Sequence, residues 1–313
     1  MFEKTLLSTV FAAGLGLAAL AQAAPEAGGS TPAVACKSTV TGDLRLHTLR
    51  SLIFNNERKI RVLLPRGYDD AANSGRRYPV LYMLDGQNLF DACLSDVSKH
   101  EWGLDEISAQ LTGAGEMPPF IVVGVDHAAS LRASEYLPYK DFIGGPDMTE
   151  PAGKQFPDFL VREVMPLVND KYRTLTGAPN TGIGGSSYGG VATLYALLAR
   201  PGEFGYGLIE SPTLWVGMGQ LVRDTNPLAA MPAKVFIGFG GKEADDPVIS
   251  RKMIGMVQQL EANFRAAGYD DSNVRVVIDP EALHTEAAWE KRLPEALRFL
   301  FGDWKPQAPS STK

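Results

Sequence analysis

Thr181-Gly182-Ile183-Gly184-Gly185-Ser186-Ser187-Tyr188-Gly189-Gly190 is the stretch that decides the fold. Gly185-Ser186-Ser187-Tyr188-Gly189 within it matches G-x-S-x-G, and it stands between a short strand-like run, Gly182 to Gly184, and the helix-like segment that starts at Val191. A serine at the tip of a tight strand-to-helix turn takes a strained backbone conformation, and flanking residues without a Cβ let strand and helix approach. Its hydroxyl then stands at a helix N-terminus, where the dipole and unbonded N–H groups favour developing negative charge. Ser187 is therefore the candidate nucleophile. A glycine- and serine-rich turn gives the same letters by chance, so the strand and helix on either side carry the distinction.

Outward from this turn, short β-branched runs alternate with longer amphipathic segments. That pattern predicts an α/β fold, a mostly parallel central sheet with helices on both faces. The expected strands are Lys59 to Leu64, Tyr78 to Leu84, Phe120 to Val125, Gly182 to Gly184, Tyr206 to Ile209, Val235 to Phe239 and Val274 to Ile278. Several are continuous apolar runs, as strands buried on both faces are. Leu160, Val161, Val164, Met165 and Val168 share one helical face, with Pro157 suited to the first turn. Ile249, Met253, Val257, Leu260 and Phe264 mark a second helix that Gly268 ends. The longest piece without periodicity, Ala128 to Gln155, has the length of a functional rim or lid.

The 313 residues carry 30 Lys and Arg against 36 Asp and Glu, a net charge of −6, and 45% are apolar. This composition excludes disordered, collagenous and coiled-coil chains. With no basic cluster to neutralise phosphates, nucleic acid is not an expected partner. The chain opens with Lys4, an uncharged apolar run from Leu6 to Leu20, and then Ala19-Leu20-Ala21 and Ala21-Gln22-Ala23, both of the small-x-small form. Residues 1–23 accordingly read as a secretory signal peptide, the run being shorter than the roughly 20 residues that span a bilayer. The expectation is an exported protein, periplasmic or secreted, without stable membrane insertion once that peptide is cleaved. The two cysteines, Cys36 and Cys93, are an even count in an exported chain and permit one disulfide. Neither their spacing nor that of the histidines resembles a metal site.

A serine needs a base. Of four histidines, His47, His100 and His127 precede Ser187, whereas His284 follows the last expected strand and precedes a terminal helix. The order Ser, acid, His of α/β-hydrolases calls for a histidine in that place. The acid that holds the imidazole belongs on the loop after the penultimate strand, Gly240-Gly241-Lys242-Glu243-Ala244-Asp245-Asp246. Glu243 is the preferred residue, with Asp245, Asp246 and, from the preceding strand, Glu210 as alternatives.

Asp85-Gly86-Gln87-Asn88-Leu89-Phe90-Asp91, Arg132 with Glu135-Tyr136-Leu137-Pro138-Tyr139, the Ser187 turn, Ser211-Pro212, and His284 followed by Trp289 and Arg292-Leu293-Pro294 occur in that order. Together they resemble the esterase family of α/β-hydrolases that includes enterochelin and other siderophore esterases, feruloyl and acetylxylan esterases, S-formylglutathione hydrolase and the mycolyltransferases. The resemblance spans about residues 45–302, leaving 24–44 as a flexible leader and 303–313 as a C-terminal tail. It implies an α/β-hydrolase catalytic domain and an oxyanion hole made by the N–H groups of Tyr188 and Gln87. Tyr188 departs from the family, where an aliphatic residue is usual after the nucleophile, and some members work as Ser–His dyads.

The resulting expectation is a serine esterase that cleaves a small-molecule carboxylic ester through an acyl-enzyme. An acyltransferase would use the same residues, and a binding protein on the same fold would have lost them. No phosphate loop, HExxH or dinucleotide fingerprint is present, so no cofactor and no metal are expected. For the substrate, His127, Arg132, Tyr136, Tyr139, Lys140 and Phe142 come from the presumed rim and Trp215 follows Ser211-Pro212. Arg132, Tyr136 and Trp215 are the candidate substrate-binding residues. Aromatic faces with a few cations suit an aryl-acyl group bearing anionic or hydroxyl substituents. Export removes the chain from cytosolic glutathione chemistry, which leaves a small soluble aryl-acyl or short-chain ester.

Overall fold

The computed structural model describes residues 36–95, 99–141, 150–226, 232 and 234–305. The expected signal peptide, most of the leader and Phe142 lie outside them. Lys37–Lys313 forms one compact unit.

Among the described residues eight strands make one sheet: β1 (Asp43–Arg50), β2 (Glu57–Leu64), β3 (Val80–Leu84), β4 (Ile121–Val125), β5 (Thr181–Ser186), β6 (Tyr206–Glu210), β7 (Lys234–Gly240) and β8 (Val274–Asp279). Their order is β1-β2-β4-β3-β5-β6-β7-β8. β2 runs antiparallel to both neighbours, and β4 to β8 with β3 are parallel. This is the mostly parallel sheet that the apolar runs predict, and each expected strand agrees with the observed one to within two residues at either end. β3 shows why. Val80, Tyr82 and Leu84 face one core and Leu81 and Met83 the other, so no position in it is free to be polar.

Among the described residues the α-helices are α1 (Leu104–Gly113), α2 (Arg132–Tyr136), α3 (Phe156–Phe159), α4 (Met165–Lys171), α5 (Tyr188–Ala199), α6 (Gln220–Asp224), α7 (Pro247–Ala266) and α8 (Glu286–Phe301). Residues of α3, α4, α5 and α7 fill the core on one face, and those of α1 and α8 fill the core on the other. A π-helical turn, Leu160–Val164, joins α3 to α4. Pro166 explains it, since a proline inside a helix has no N–H to give and collides with the carbonyl four residues back, and one wide turn relieves both. α7 begins on Asp246, whose Oδ1 accepts from Val248 N at 2.7 Å, and Gly268 (φ +94°) follows its end.

Three expectations need correction. The segment Ala128 to Gln155 is not without structure, because α2 lies in it and is pinned by Glu135. That buried carboxylate takes Arg58, from the start of β2, and, at 2.7 Å, Asn56 Nδ2, from the residue just before that strand. Residues 36–44, expected in the leader, include ordered contacts and the start of a strand. Asp43 and Leu44 already belong to β1, and Ser38 Oγ and Thr41 N donate to Asp91 (2.7 Å) and Asp105 (2.6 Å). The tail does not begin at 303 either, since Trp304 is buried against Phe301 and donates from Nε1 to Pro179 O at 2.7 Å. Both cysteines, Cys36 and Cys93, are disulfide-bonded. Among the described residues, no helix is long and apolar enough to cross a membrane.

β6 ends in a buried ion pair. Arg292 donates from Nε (3.0 Å) and Nη2 (2.7 Å) to Oε2 of Glu210, which is 0% exposed. Gly238 on β7 makes room for that carboxylate, for a Cβ there would lie 2.2 Å from Glu210 Oε2. Gly238→Ala should therefore cost about 2 kcal/mol or more in urea unfolding, because the pair has nowhere to move. Gly255→Ala, where nothing lies within 4 Å in the middle of α7, should stabilise by about 0.5–1 kcal/mol. Equal effects from the two substitutions would show that the glycine at 238 is not required by Glu210.

Candidate active site

Ser187 sits between β5 and α5 at φ 58° and ψ −123°, a conformation rare for a residue with a side chain. Hydrogen bonds hold it there. Its N–H donates to Glu210 O at 3.0 Å, and its carbonyl accepts from Val191 N at 3.2 Å and Thr213 N at 3.3 Å. Gly190 lets the helix press onto β6, since a Cβ there would stand 3.0 Å from Glu210 O and 3.1 Å from Pro212 Cα. The hydroxyl lies 3.5 Å from Thr213 Oγ1, too far for a bond that would lock it.

His284 lies between β8 and α8, with Nδ1 2.9 Å from Glu243 Oε2. Its ring meets Trp289 edge to face at 5.2 Å and 87°. The Glu243 side chain is 1% exposed. Its Oε1 accepts from Gly240 N at 2.7 Å and from the hydroxyl of Ser211, which in turn accepts from Trp289 Nε1 at 2.9 Å. The other three carboxylates are placed elsewhere. Asp245 is exposed, Asp246 caps α7, and Glu210 is committed to Arg292. Burial raises the pKa of Glu210 to about 7 against the pull of Arg292.

Ser187 and His284 together line two adjoining hollows. The larger, about 330 Å³, includes Tyr188, Thr213, Trp215, Met253 and Asp141. The smaller, about 200 Å³, includes Asp85, Asn88, His127, Arg132 and Trp289. Tyr188 is the first residue of α5, and Gln87 lies in the turn Gly86–Asn88 that follows β3. The Gln87 side chain is turned to the neighbouring strand, where Oε1 accepts from His127 N at 3.3 Å.

Two of the expected substrate-binding residues do other work. Tyr136 is 1% exposed, belongs to the core and accepts Asp85 N at 3.2 Å on its hydroxyl. Arg132 lines the smaller hollow, but its guanidinium is spent on a two-point ion pair with Asp85 (2.7 and 2.8 Å) that keeps it charged despite burial. Both hold the Asp85 turn in its left-handed conformation (φ 56°). Lys140 is exposed and pairs with Glu150, and the Tyr139 hydroxyl donates to Asp224. Trp215 lines the larger hollow. The sequence reading missed Thr213, Met253 and Asp141 as lining residues. Thr213 carried one available signal: the loop after the strand next to β5 must border Ser187 at the end of β5. Among the described residues, no group of three or more His, Cys, Asp or Glu is arranged to hold a metal ion.

A mostly parallel eight-stranded sheet, helices on both faces and a serine on a sharp strand-to-helix turn define an α/β-hydrolase. Residues 51–300 match the family described as "Putative esterase", and the chain belongs to it. It is 22% identical over 248 residues to the "Uncharacterized protein YbbA" of Bacillus subtilis (strain 168), covering 78% of this chain and 93% of that one. It is 25% identical over 160 residues to the siderophore triacetylfusarinine C esterase of Aspergillus fumigatus, about half of each chain. An IroE-like serine hydrolase from Shewanella oneidensis has the same fold, with a TM-score of 0.67 at 20% identity over 85% of this chain and 82% of that one. Solved enterobactin and ferulic acid esterases share it as well. By family, the protein is a carboxylic ester hydrolase.

The arrangement around His284 separates the candidate acids by experiment. Glu243→Gln should lower kcat on an activated acetyl ester by about 10³-fold or more, because the amide would present the wrong partner to Nδ1. Asp245→Asn should stay within about threefold of the parent, as surface substitutions do. Equal, small effects would mean that the ring is oriented without Glu243.

Proposed function

We propose that the protein is an exported serine esterase that cleaves a small soluble aryl-acyl or short-chain ester through an acyl-enzyme on Ser187. The observation that carries this reading is the 2.9 Å contact between Glu243 Oε2 and His284 Nδ1 beside a serine held at positive φ on a helix N-terminus. With Nδ1–H donated to Glu243, the other ring nitrogen, Nε2, is the base. It takes the Ser187 proton as Oγ attacks the ester carbonyl, and the imidazolium that forms is stabilised by Glu243. The oxyanion is taken up by the N–H of Tyr188, at the first turn of α5, and by the N–H of Gln87. His284 then protonates the departing alcohol. Water enters by the same route, in reverse roles, and frees Ser187.

Export is supported by the leading apolar segment with its small-x-small sites and by disulfide bonding of both cysteines. The substrate class is supported by a hollow of about 330 Å³ with the Trp215 ring on its wall. The siderophore esterase and the ferulic acid esterase that it resembles point the same way.

Ser187→Ala should abolish turnover of a para-nitrophenyl acetate while leaving the unfolding midpoint in urea unchanged. A fluorophosphonate should add one equivalent of mass to the parent chain and none to the variant. Activity of the variant within tenfold of the parent would reject Ser187 as the nucleophile.

A further inference from the structure

Ser211 stands where β6 leaves the sheet, directly after Glu210. It is 0% exposed and is held at φ 43° with its N–H on Gly238 O at 2.8 Å. Its hydroxyl donates to Glu243 Oε1 and accepts from Trp289 Nε1 at 2.9 Å. Trp289 in turn meets His284 edge to face, and Nδ1 of that histidine lies 2.9 Å from Glu243 Oε2. Side chains from the ends of β6, β7 and β8 and from α8 thus close a ring in which each touches the next.

One member sets the direction of the hydrogen bonds in this ring. An indole N–H can only donate and an ionised carboxylate can only accept, whereas a serine hydroxyl has a single proton and can turn. With Trp289 Nε1 on a lone pair of Oγ, the Ser211 proton is aimed at Glu243. The carboxylate itself hangs on a terminal torsion whose minima are broad. Gly240 N, at 2.7 Å, would by itself leave the group free to swing about one contact. The Ser211 proton adds a second contact on the same oxygen, and two contacts from different loops fix the plane that brings Oε2 to His284 Nδ1. The indole is held as well, since it is 5% exposed and packs on Trp102 at 5.6 Å and 39°.

We propose that Ser211 is a positioning residue: its hydroxyl, aimed by the Trp289 indole N–H, fixes the Glu243 carboxylate in the plane that orients the His284 ring for its work on Ser187. The inference rests on the reading of Ser187, His284 and Glu243 given above and adds to it a residue that acts only through Glu243. A hydroxyl required merely to satisfy a buried indole N–H would matter to folding, and it would matter equally whether residue 243 carried a carboxylate or an amide.

The test is a double-mutant cycle on the full chain, read as kcat and KM for para-nitrophenyl acetate. Ser211→Ala should lower kcat by about tenfold and leave KM within about twofold, because the orientation of the base is lost and the binding of the ester is not. Made in the Glu243→Gln chain, the same substitution should change kcat by less than about twofold, since the carboxylate through which it acts is gone. Trp289→Phe keeps a ring beside His284 and removes the N–H. It should lower kcat by about threefold in the parent and add nothing to Ser211→Ala. It also takes the place of Ser211→Ala in the cycle with Glu243→Gln if the alanine variant does not fold. A loss of less than about twofold from Ser211→Ala in the parent, or a loss of equal size with and without the carboxylate, would overturn the proposal. The two readings fail differently. If Glu243→Gln itself stays within about threefold of the parent, the reading of Glu243 has failed and takes this inference with it; if Glu243→Gln is severe and the losses from Ser211→Ala are equal, only the positioning role has failed.

Discussion

Three neighbouring strands, β3, β5 and β6, end on a non-glycine residue in the left-handed region: Asp85 (φ 56°), Ser187 (φ 58°) and Ser211 (φ 43°). Each such residue costs about 1–3 kcal/mol unless its surroundings compel it, and here each is compelled by a different set of bonds. Asp85 is held by Arg132 and Tyr136, Ser187 by Glu210 O and Thr213 N, and Ser211 by Gly238 O through its own N–H at 2.8 Å. The three turns point three loops at one spot. Everything that the candidate site contains at close range is attached to one of them or leans on one.

The same spot gathers carboxylates that burial alone would neutralise. The protein answers each with donors rather than with water. Glu243 takes Gly240 N, Ser211 Oγ and His284; Glu210 takes two nitrogens of Arg292; Asp85 takes both arms of Arg132. Glu210 is the least well served. Its Oε1 has no hydrogen-bond partner, and its pKa is pushed up to about 7, chiefly by burial with Glu243 adding to it. A carboxyl so placed is better at filling the space behind Gly238 than at holding an imidazole.

The sheet and the Ser187 turn were legible because both depend on local rules. Strands buried on two faces can only be apolar runs, and a turn with a serine at positive φ needs its glycines within a few residues. That His284 lies on the same hollow as Ser187 was legible from chain order. What could not be read is which partner a side chain meets from far away. Glu243, Asp245 and Asp246 are alike in sequence, and Ser211, from another strand, singles one out. Tyr136 and Arg132 look like a binding surface until Arg58, on β2, anchors Glu135 and turns that short helix inward. Trp304 looked like part of a tail because two residues of context do not reveal an aromatic cluster formed with Phe301 and Tyr206.

The terminal helix α8 ties these threads together. Trp289 and Arg292, three residues apart, lie on one face of it. Trp289 braces the His284 ring and gives its indole N–H to Ser211, so that the Ser211 proton remains for Glu243. Arg292 secures Glu210, whose backbone carbonyl takes the Ser187 N–H. The helix thus reaches His284 directly, Glu243 through one hydroxyl, and Ser187 through one strand end. It contributes no reacting atom, yet the relative placement of all three depends on its register against β6 and β7. A shift of one turn in α8 would exchange the residues at both contacts and move His284 and Glu243 away from Ser187, although the sheet would be intact.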